Sequence, residues 1–121
     1  MEQNKTLILG ASSKPDRYAY LAASMLRQAS IPFVLVGNRE GVVAGENIRT
    51  DFPQGLEIDT ITLYLGAPRQ KEYYTNILQS GARRIIFNPG TVNPELEKLT
   101  TDAGIESVHA CTLVMLRTGQ Y

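Results

Sequence analysis

The sequence predicts an α/β fold, a doubly wound parallel sheet of five strands with flanking helices. Three observations predict it. Short apolar, β-prone runs alternate with amphipathic runs of helical period, the mark of βαβ units with right-handed crossovers. The 121 residues suffice for one domain with one small core, and no repeat, linker or low-complexity segment divides them. The first apolar run ends in a glycine and small residues just before a helical pattern, as in a strand, a phosphate-cradling loop and a helix.

Thr6–Leu9 is the first strand. Residues Asp16–Gln28 form the first helix, with Leu21, Ala22, Met25, Leu26 and Ala29 in one apolar stripe. Ile31-Pro32 breaks it, and Phe33–Val36 is the second strand. Ile61–Leu65 is the third. Pro68 suits the first turn of a helix running to about Gln79, with Tyr73, Tyr74, Ile77 and Leu78 inward and Gly81 as its stop. Arg84–Phe87 is the fourth strand. Asn93 caps a helix with Pro94 in its first turn and Leu96, Leu99 and Ala103 on one side, and Gly104 ends it. Ile105–His109 is the fifth strand, and Thr112–Arg117 a short last helix. The segment Gly37–Asp59 is long for a loop, so it is either functional or holds short strands, for which Val42-Val43 and Asn47–Thr50 are the candidates.

Composition narrows the function. Hydrophobic content of 43% and charged content of 20% describe an ordinary globular chain. Twelve basic residues balance twelve acidic ones, which removes the long-range electrostatic case for nucleic acid or an anionic membrane as the main partner. No apolar run reaches the roughly 20 residues of a membrane span, and the opening MEQNK is polar and lacks a signal-peptide core, so a cytoplasmic location is expected. The single cysteine, Cys111, excludes an internal disulfide and a multi-cysteine metal site.

An open parallel sheet takes ligands beyond the carboxyl ends of its strands, where strand order reverses. In the order 3-2-1-4-5 that point lies between the first and fourth strands, beside the loops Gly10–Asp16 and Asn88–Asn93. In the first loop, Gly10 makes the turn and Ala11 and Ser12 let a ligand approach. Ser12 and Ser13 offer hydroxyls, the helix start offers free N–H groups, and Lys14 and Arg17 add charge. Together these suit a pyrophosphate. The three-glycine dinucleotide fingerprint is absent, since only Gly10 is present, and a plain helix cap with a solvated lysine is the competing reading. The second strand ends Gly37-Asn38-Arg39, with no carboxylate there for a ribose diol; Glu40 is one step further. An arginine at that point suits an extra phosphate on the ribose, as in 3′-phospho-ADP or 2′-phospho-ADP, unless it is simply a solvated turn residue. Leu65-Gly66-Ala67 is small enough for a ligand chain to cross, and Asn88-Pro89-Gly90-Thr91 sets a rigid turn beside the first loop.

The stretches LILGASSKPDRYAYLAASML, LYLGAPRQKEYY, IIFNPGTVNPELEKL and ACTLVMLRTGQY together cover most of the chain. In that order the chain resembles the small single-domain CoA-binding proteins of Rossmann-type fold, the YccU-like group. These are relatives of the CoA-binding domain of the succinyl-CoA synthetase α subunit. One departure is Gly37-Asn38-Arg39, where many relatives carry an Asn-Pro pair. The resemblance implies that coenzyme A, or an acyl-CoA, is the ligand. It implies contacts from Gly10, Ala11, Ser12, Lys14, Arg17, Tyr18, Gly37, Asn38, Arg39, Leu65, Gly66, Asn88 and Gly90, to which the loop readings add Ser13 and Pro89. The pyrophosphate would meet the first loop, the 3′-phosphate Arg39 or Lys14, and the pantetheine arm would pass Gly66 toward Asn88, Pro89 and Gly90.

No catalytic constellation is visible. His109 is the only histidine and reads as structural; the phosphohistidine of the succinyl-CoA synthetase α subunit lies in a second domain with no counterpart here. Cys111, at a predicted helix start on the ligand edge, is either a small packed residue or a site of thiol exchange with CoA. The expected function is a noncovalent CoA-binding or regulatory module, with enzymatic activity undecided and a homodimer left open. The alternatives are an NADP-dependent oxidoreductase, a CoA-site subunit of an acyl-CoA ligase assembled in trans, and a purely structural interaction module.

Overall fold

A computed structural model describes residues 5–121; the polar opening residues 1–4, read above for a signal peptide, lie outside the described residues. The elements in chain order are β1 (Thr6–Leu9), α1 (Tyr18–Gln28), β2 (Phe33–Val36), β3 (Gly41–Val43), β4 (Glu46–Arg49), β5 (Thr60–Leu63), α2 (Ala67–Gln70), α3 (Tyr74–Leu78), β6 (Arg84–Phe87), α4 (Pro94–Asp102), β7 (Glu106–His109) and α5 (Thr112–Arg117). They form the expected doubly wound α/β domain, Rossmann-like, around a mostly parallel sheet.

The sheet has seven strands rather than five, in the order β3-β4-β2-β1-β5-β6-β7. The extra pair comes from the segment Gly37–Asp59. Its candidate strands form a hairpin, β3 antiparallel to β4, and β4 runs parallel to β2 with Leu35 opposite Ile48. Ala44 and Gly45, both at positive φ (52° and 84°), form the two-residue turn, whose twist matches the flanking strands. Because β4 occupies the outer edge of β2, β5 pairs with the free side of β1, in register from Thr6 opposite Thr60 to Leu9 opposite Leu63. Strand order therefore reverses between β1 and β5, one strand earlier than the sequence reading placed it.

Period-two alternation sorts the buried strand residues onto two faces. Leu7 and Leu9 join Ile61, Leu63, Ile85 and Phe87 on one face, beneath Ile77 of α3 and Leu96 of α4. Ile8 and Leu35 join Ile48 on the other, beneath Ala19, Ala22, Ala23 and Leu26 of α1 and Leu113 of α5. The buried stripe of α1 is alanine-rich, so the helix sits close on the sheet; Leu21, expected inward, is 41% exposed. The helix expected over Pro68–Gln79 is interrupted. It tightens to a 3-10 turn at Lys71–Tyr73, just after Gln70, whose side chain is drawn fully inside. In α4 the structure buries Leu96 and Thr100, leaving Leu99 36% exposed, because Thr100 returns its hydroxyl to the Leu96 carbonyl at 3.0 Å and needs no solvent.

Polar clamps close the amino-terminal edge of the sheet. Arg84 is 8% exposed; its Nε donates to Thr60 Oγ1 at 2.8 Å, an NH2 group donates to the Tyr121 carbonyl at 2.8 Å, and the guanidinium lies 4.6 Å from the Tyr121 ring centre. The Tyr121 hydroxyl pairs with Thr6 Oγ1, which ties the C-terminal residue to β1. Asp59 takes two hydrogen bonds from Arg83, at 3.0 and 3.2 Å, and one from Thr60 at 2.7 Å.

Burial pushes the Asp59 carboxyl up, but the bonds from Arg83 and Thr60 and the charges of Arg83 and Arg84 outweigh it and hold it below its ordinary value. A lowered folded value means that the unfolded chain binds the proton more readily near pH 4. The stabilisation is therefore complete above about pH 4 and is lost as pH falls through the folded value. Asp59→Asn is expected to flatten the acid limb of stability below about pH 4, measured by urea unfolding between pH 3 and 7. Equal slopes in the two proteins would contradict this assignment.

Candidate functional site

The carboxyl ends of β1, β2, β5 and β6 open into a cavity of about 640 Å³, within the range of small-molecule sites. Gly10 lines its floor, and Gly37 lies directly beneath it. Gly10 has φ 100°, and a Cβ there would meet Leu65 Cδ2 at 2.8 Å and the Tyr64 carbonyl carbon at 2.9 Å. A Cβ on Gly37 would lie 2.4 Å from the Ala11 carbonyl oxygen. The backbones are close because one carbonyl, that of Val36, accepts from both Gly10 N (2.8 Å) and Ala11 N (2.9 Å), while Tyr64 N donates to the Leu9 carbonyl at 2.8 Å. The chain leaving β1 is thus turned out over the sheet edge between β2 and β5.

That turn delivers the loop Ala11–Arg17. Lys14 N donates to Ser12 Oγ at 3.1 Å and Arg17 N to the Lys14 carbonyl at 3.0 Å, folding the loop back before α1. Arg17 is the N-cap and makes no side-chain capping bond; Tyr18 and Ala19 line the cavity, so the positive end of an eleven-residue helix faces it. Gly10, Ala11, Ser12, Ser13, Lys14, Arg17, Tyr18, Asn38, Arg39, Leu65, Gly66, Pro89 and Gly90 are brought together around the one cavity. Two of the expected residues do not line it. Gly37 is buried beneath the Ala11 carbonyl. Asn88, 2% exposed, uses its side chain inside the protein: Nδ2 donates to Thr62 Oγ1 (2.6 Å) and the Leu63 carbonyl (2.8 Å), and Oδ1 accepts from Thr112 N at 2.8 Å. With the Thr62–Thr112 hydroxyl pair at 2.7 Å, it seats the start of α5 on β5 and β6.

The cavity also holds residues that sequence reasoning missed. Arg69 of α2, Thr91, Tyr64, Ala19 and Glu40 complete the lining. The signal for Arg69 was its place one residue past Pro68 in a helix start on the ligand edge. The Tyr64 oxygen is buried and has no hydrogen-bond partner among the described residues. Burial pushes its phenol up to about 12, with the nearby Thr112 and Thr62 hydroxyls opposing part of the rise, so it is a neutral donor at ordinary pH. Cys111 is the half-buried N-cap of α5, packed against the α1-side core and not among the lining residues. His109 stacks on Phe87 (ring centres 5.2 Å apart), with Nε2 3.0 Å from Glu97 Oε2, a structural setting apart from the cavity lining. Among the described residues no group of three His, Cys, Asp or Glu side chains is placed to hold a metal, and no helix is long and apolar enough to cross a membrane.

Fold and cavity define a doubly wound α/β domain with a cationic, glycine-floored site at its strand-order switch. The sequence profile of the CoA-binding domain matches residues 4–117, and the chain belongs to that family. No curated protein matches it. Among solved structures, an uncharacterized protein is 45% identical with a TM-score of 0.95, covering 100% of both chains. A cell-free-produced protein from Thermus thermophilus (20% identity, TM-score 0.86, covering 98% of this chain and 91% of that one) shares the fold. So does a hypothetical protein from Pyrococcus horikoshii OT3 (23%, 0.85, covering 96% and 82%).

Gly37→Ala is expected to force the Ala11 carbonyl away and open the cavity floor. Its melting temperature should fall by several degrees, since adding a methyl group where there is no room costs about 1–3 kcal/mol. A scanning-calorimetry melt that matches the parent would contradict the close approach.

Proposed function

We propose that the cavity binds coenzyme A or an acyl-CoA noncovalently, and that the protein works as a small CoA-binding or regulatory module. The observation that carries this reading is electrostatic. In a chain of zero formal charge, Lys14, Arg17, Arg39 and Arg69 line a single cavity with one carboxylate, Glu40. A ligand with several phosphates suits such a concentration of cations, and membership of the CoA-binding domain family names one. The residues fit the group. The loop Gly10–Tyr18, with its small residues, helix start, Lys14 and Arg17, suits a pyrophosphate. Arg39, past the end of β2, suits the 3′-phosphate of the ribose. The floor at Leu65-Gly66 and the turn at Pro89-Gly90 leave a path for the pantetheine arm.

Arg39 is also the observation that favours a second reading, since a 2′-phosphate on the same ribose would meet the same charge. That reading makes the ligand NADP and the protein an oxidoreductase.

Isothermal titration with CoA, dephospho-CoA, NADP and NAD separates the two. CoA should bind, dephospho-CoA more weakly by roughly tenfold or more, and Arg39→Ala should remove most of that difference. Tighter binding of NADP than of CoA would transfer the site to the second reading, and binding of none of the four would overturn both.

A further inference from the structure

Gln70, the last residue of α2, is 0% exposed, yet it is a polar side chain with every donor in use. Its Nε2 donates to the carbonyls of Leu65 (2.9 Å) and Thr91 (2.8 Å), and its Oε1 accepts from Asn93 Nδ2 at 2.9 Å. Leu65 and Thr91 both line the cavity, one on the loop after β5 and one on the loop after β6. The bracing continues outward: Asn93 Nδ2 also donates to the Tyr74 hydroxyl at 2.8 Å, and that hydroxyl donates to Glu95 Oε1 at 2.9 Å. A buried amide is costly unless fully paired, and this one is paired to the two loops rather than to the core.

The choice of partners sets what the cavity wall offers a ligand. Gln70, itself fully buried, draws the Leu65 and Thr91 carbonyls inward, so neither is presented to the ligand as a bare acceptor. The peptide between Leu65 and Gly66 is trans, so its N–H lies on the side opposite its carbonyl. Gly66 lines the cavity, and among the described residues nothing accepts its N–H. We propose that Gln70 is a positioning residue for the ligand: by holding the Leu65 and Thr91 carbonyls it fixes the β5–β6 side of the cavity and presents the Gly66 N–H as a donor to the bound CoA. The proposal rests on the CoA reading, with the pantetheine half of the ligand on the Gly66 side.

The test compares CoA with adenosine 3′,5′-bisphosphate, which lacks the pantetheine arm and the outer phosphate of the pyrophosphate, on the wild type and on Gln70→Met, a near-isosteric apolar variant. Titration calorimetry should show CoA weakened roughly five- to tenfold by the substitution, with the bisphosphate changed less than about twofold. Equal weakening of both ligands, or of neither, in a folded variant would reduce Gln70 to a structural residue. Should Gln70→Met fail to fold, amide hydrogen exchange on the wild type decides. Saturating CoA should slow exchange at Gly66, and unchanged exchange there overturns the proposal. A wild type that binds the bisphosphate but gains nothing from the rest of CoA also overturns it while leaving the nucleotide site intact, whereas a wild type that binds neither removes the CoA reading as well.

Discussion

The Val36 carbonyl, shared by the amides of Gly10 and Ala11, is the contact on which the site depends. It stops β1 from continuing as a strand and throws the chain over the gap between β2 and β5. Only residues without a side chain tolerate the resulting proximity, at Gly10 against Leu65 and at Gly37 beneath Ala11. The seven-stranded order places this crossing at the switch point, where adjacent crossovers run to opposite faces of the sheet and leave a crevice. A loop, a helix start and four cations then converge there without any of them having to be buried.

The rest of the site is held by polar groups that face inward. Asn88 binds β5, β6 and the start of α5 into one unit, and Gln70 joins the loops after β5 and β6. These amides stand where an apolar residue would fill space but leave carbonyls unpaired, at a cost of about 1–3 kcal/mol each. The hairpin does similar work on the other flank. Arg27, at the end of α1, donates to the Ala44 carbonyl at 2.9 Å and pairs with Glu46 at 3.0 Å, which steadies the β3–β4 edge next to Arg39. The ion pair itself is exposed and worth little; its contribution is position.

Strand and helix identity were legible because they are local. The continuous apolar runs at Thr6–Leu9, Phe33–Val36 and Arg84–Phe87 became fully or mostly buried parallel strands, and Asn93 capped its helix as its residue type predicts. Pairing was less legible, because it is not local. Nothing in Ile61–Leu65 says that it lies beside β1 rather than β2; that follows from β4 occupying the outer edge of β2, and β4 carries only one buried residue, Ile48. The same limit governed the site. Loops rich in Gly, Ser, Lys and Pro announced themselves, and thirteen of the fifteen residues expected at the ligand line the cavity. Residue type alone could not tell a bracing amide from a ligand contact: Asn88 and Gln70 are both amides on the ligand edge, and only their three-dimensional partners show that each is turned inward. Arg69 escaped notice because its one signal, a place just past Pro68 at a helix start, is positional, and no periodic or motif pattern reinforces it.

The most direct test of the central claim is a crystal structure of the protein grown with CoA. The pyrophosphate should lie against the Gly10–Tyr18 loop, with the 3′-phosphate at Arg39 and the pantetheine arm crossing Gly66. CoA bound on any other surface, or bound in this cavity with its phosphates turned away from that loop, would contradict the account.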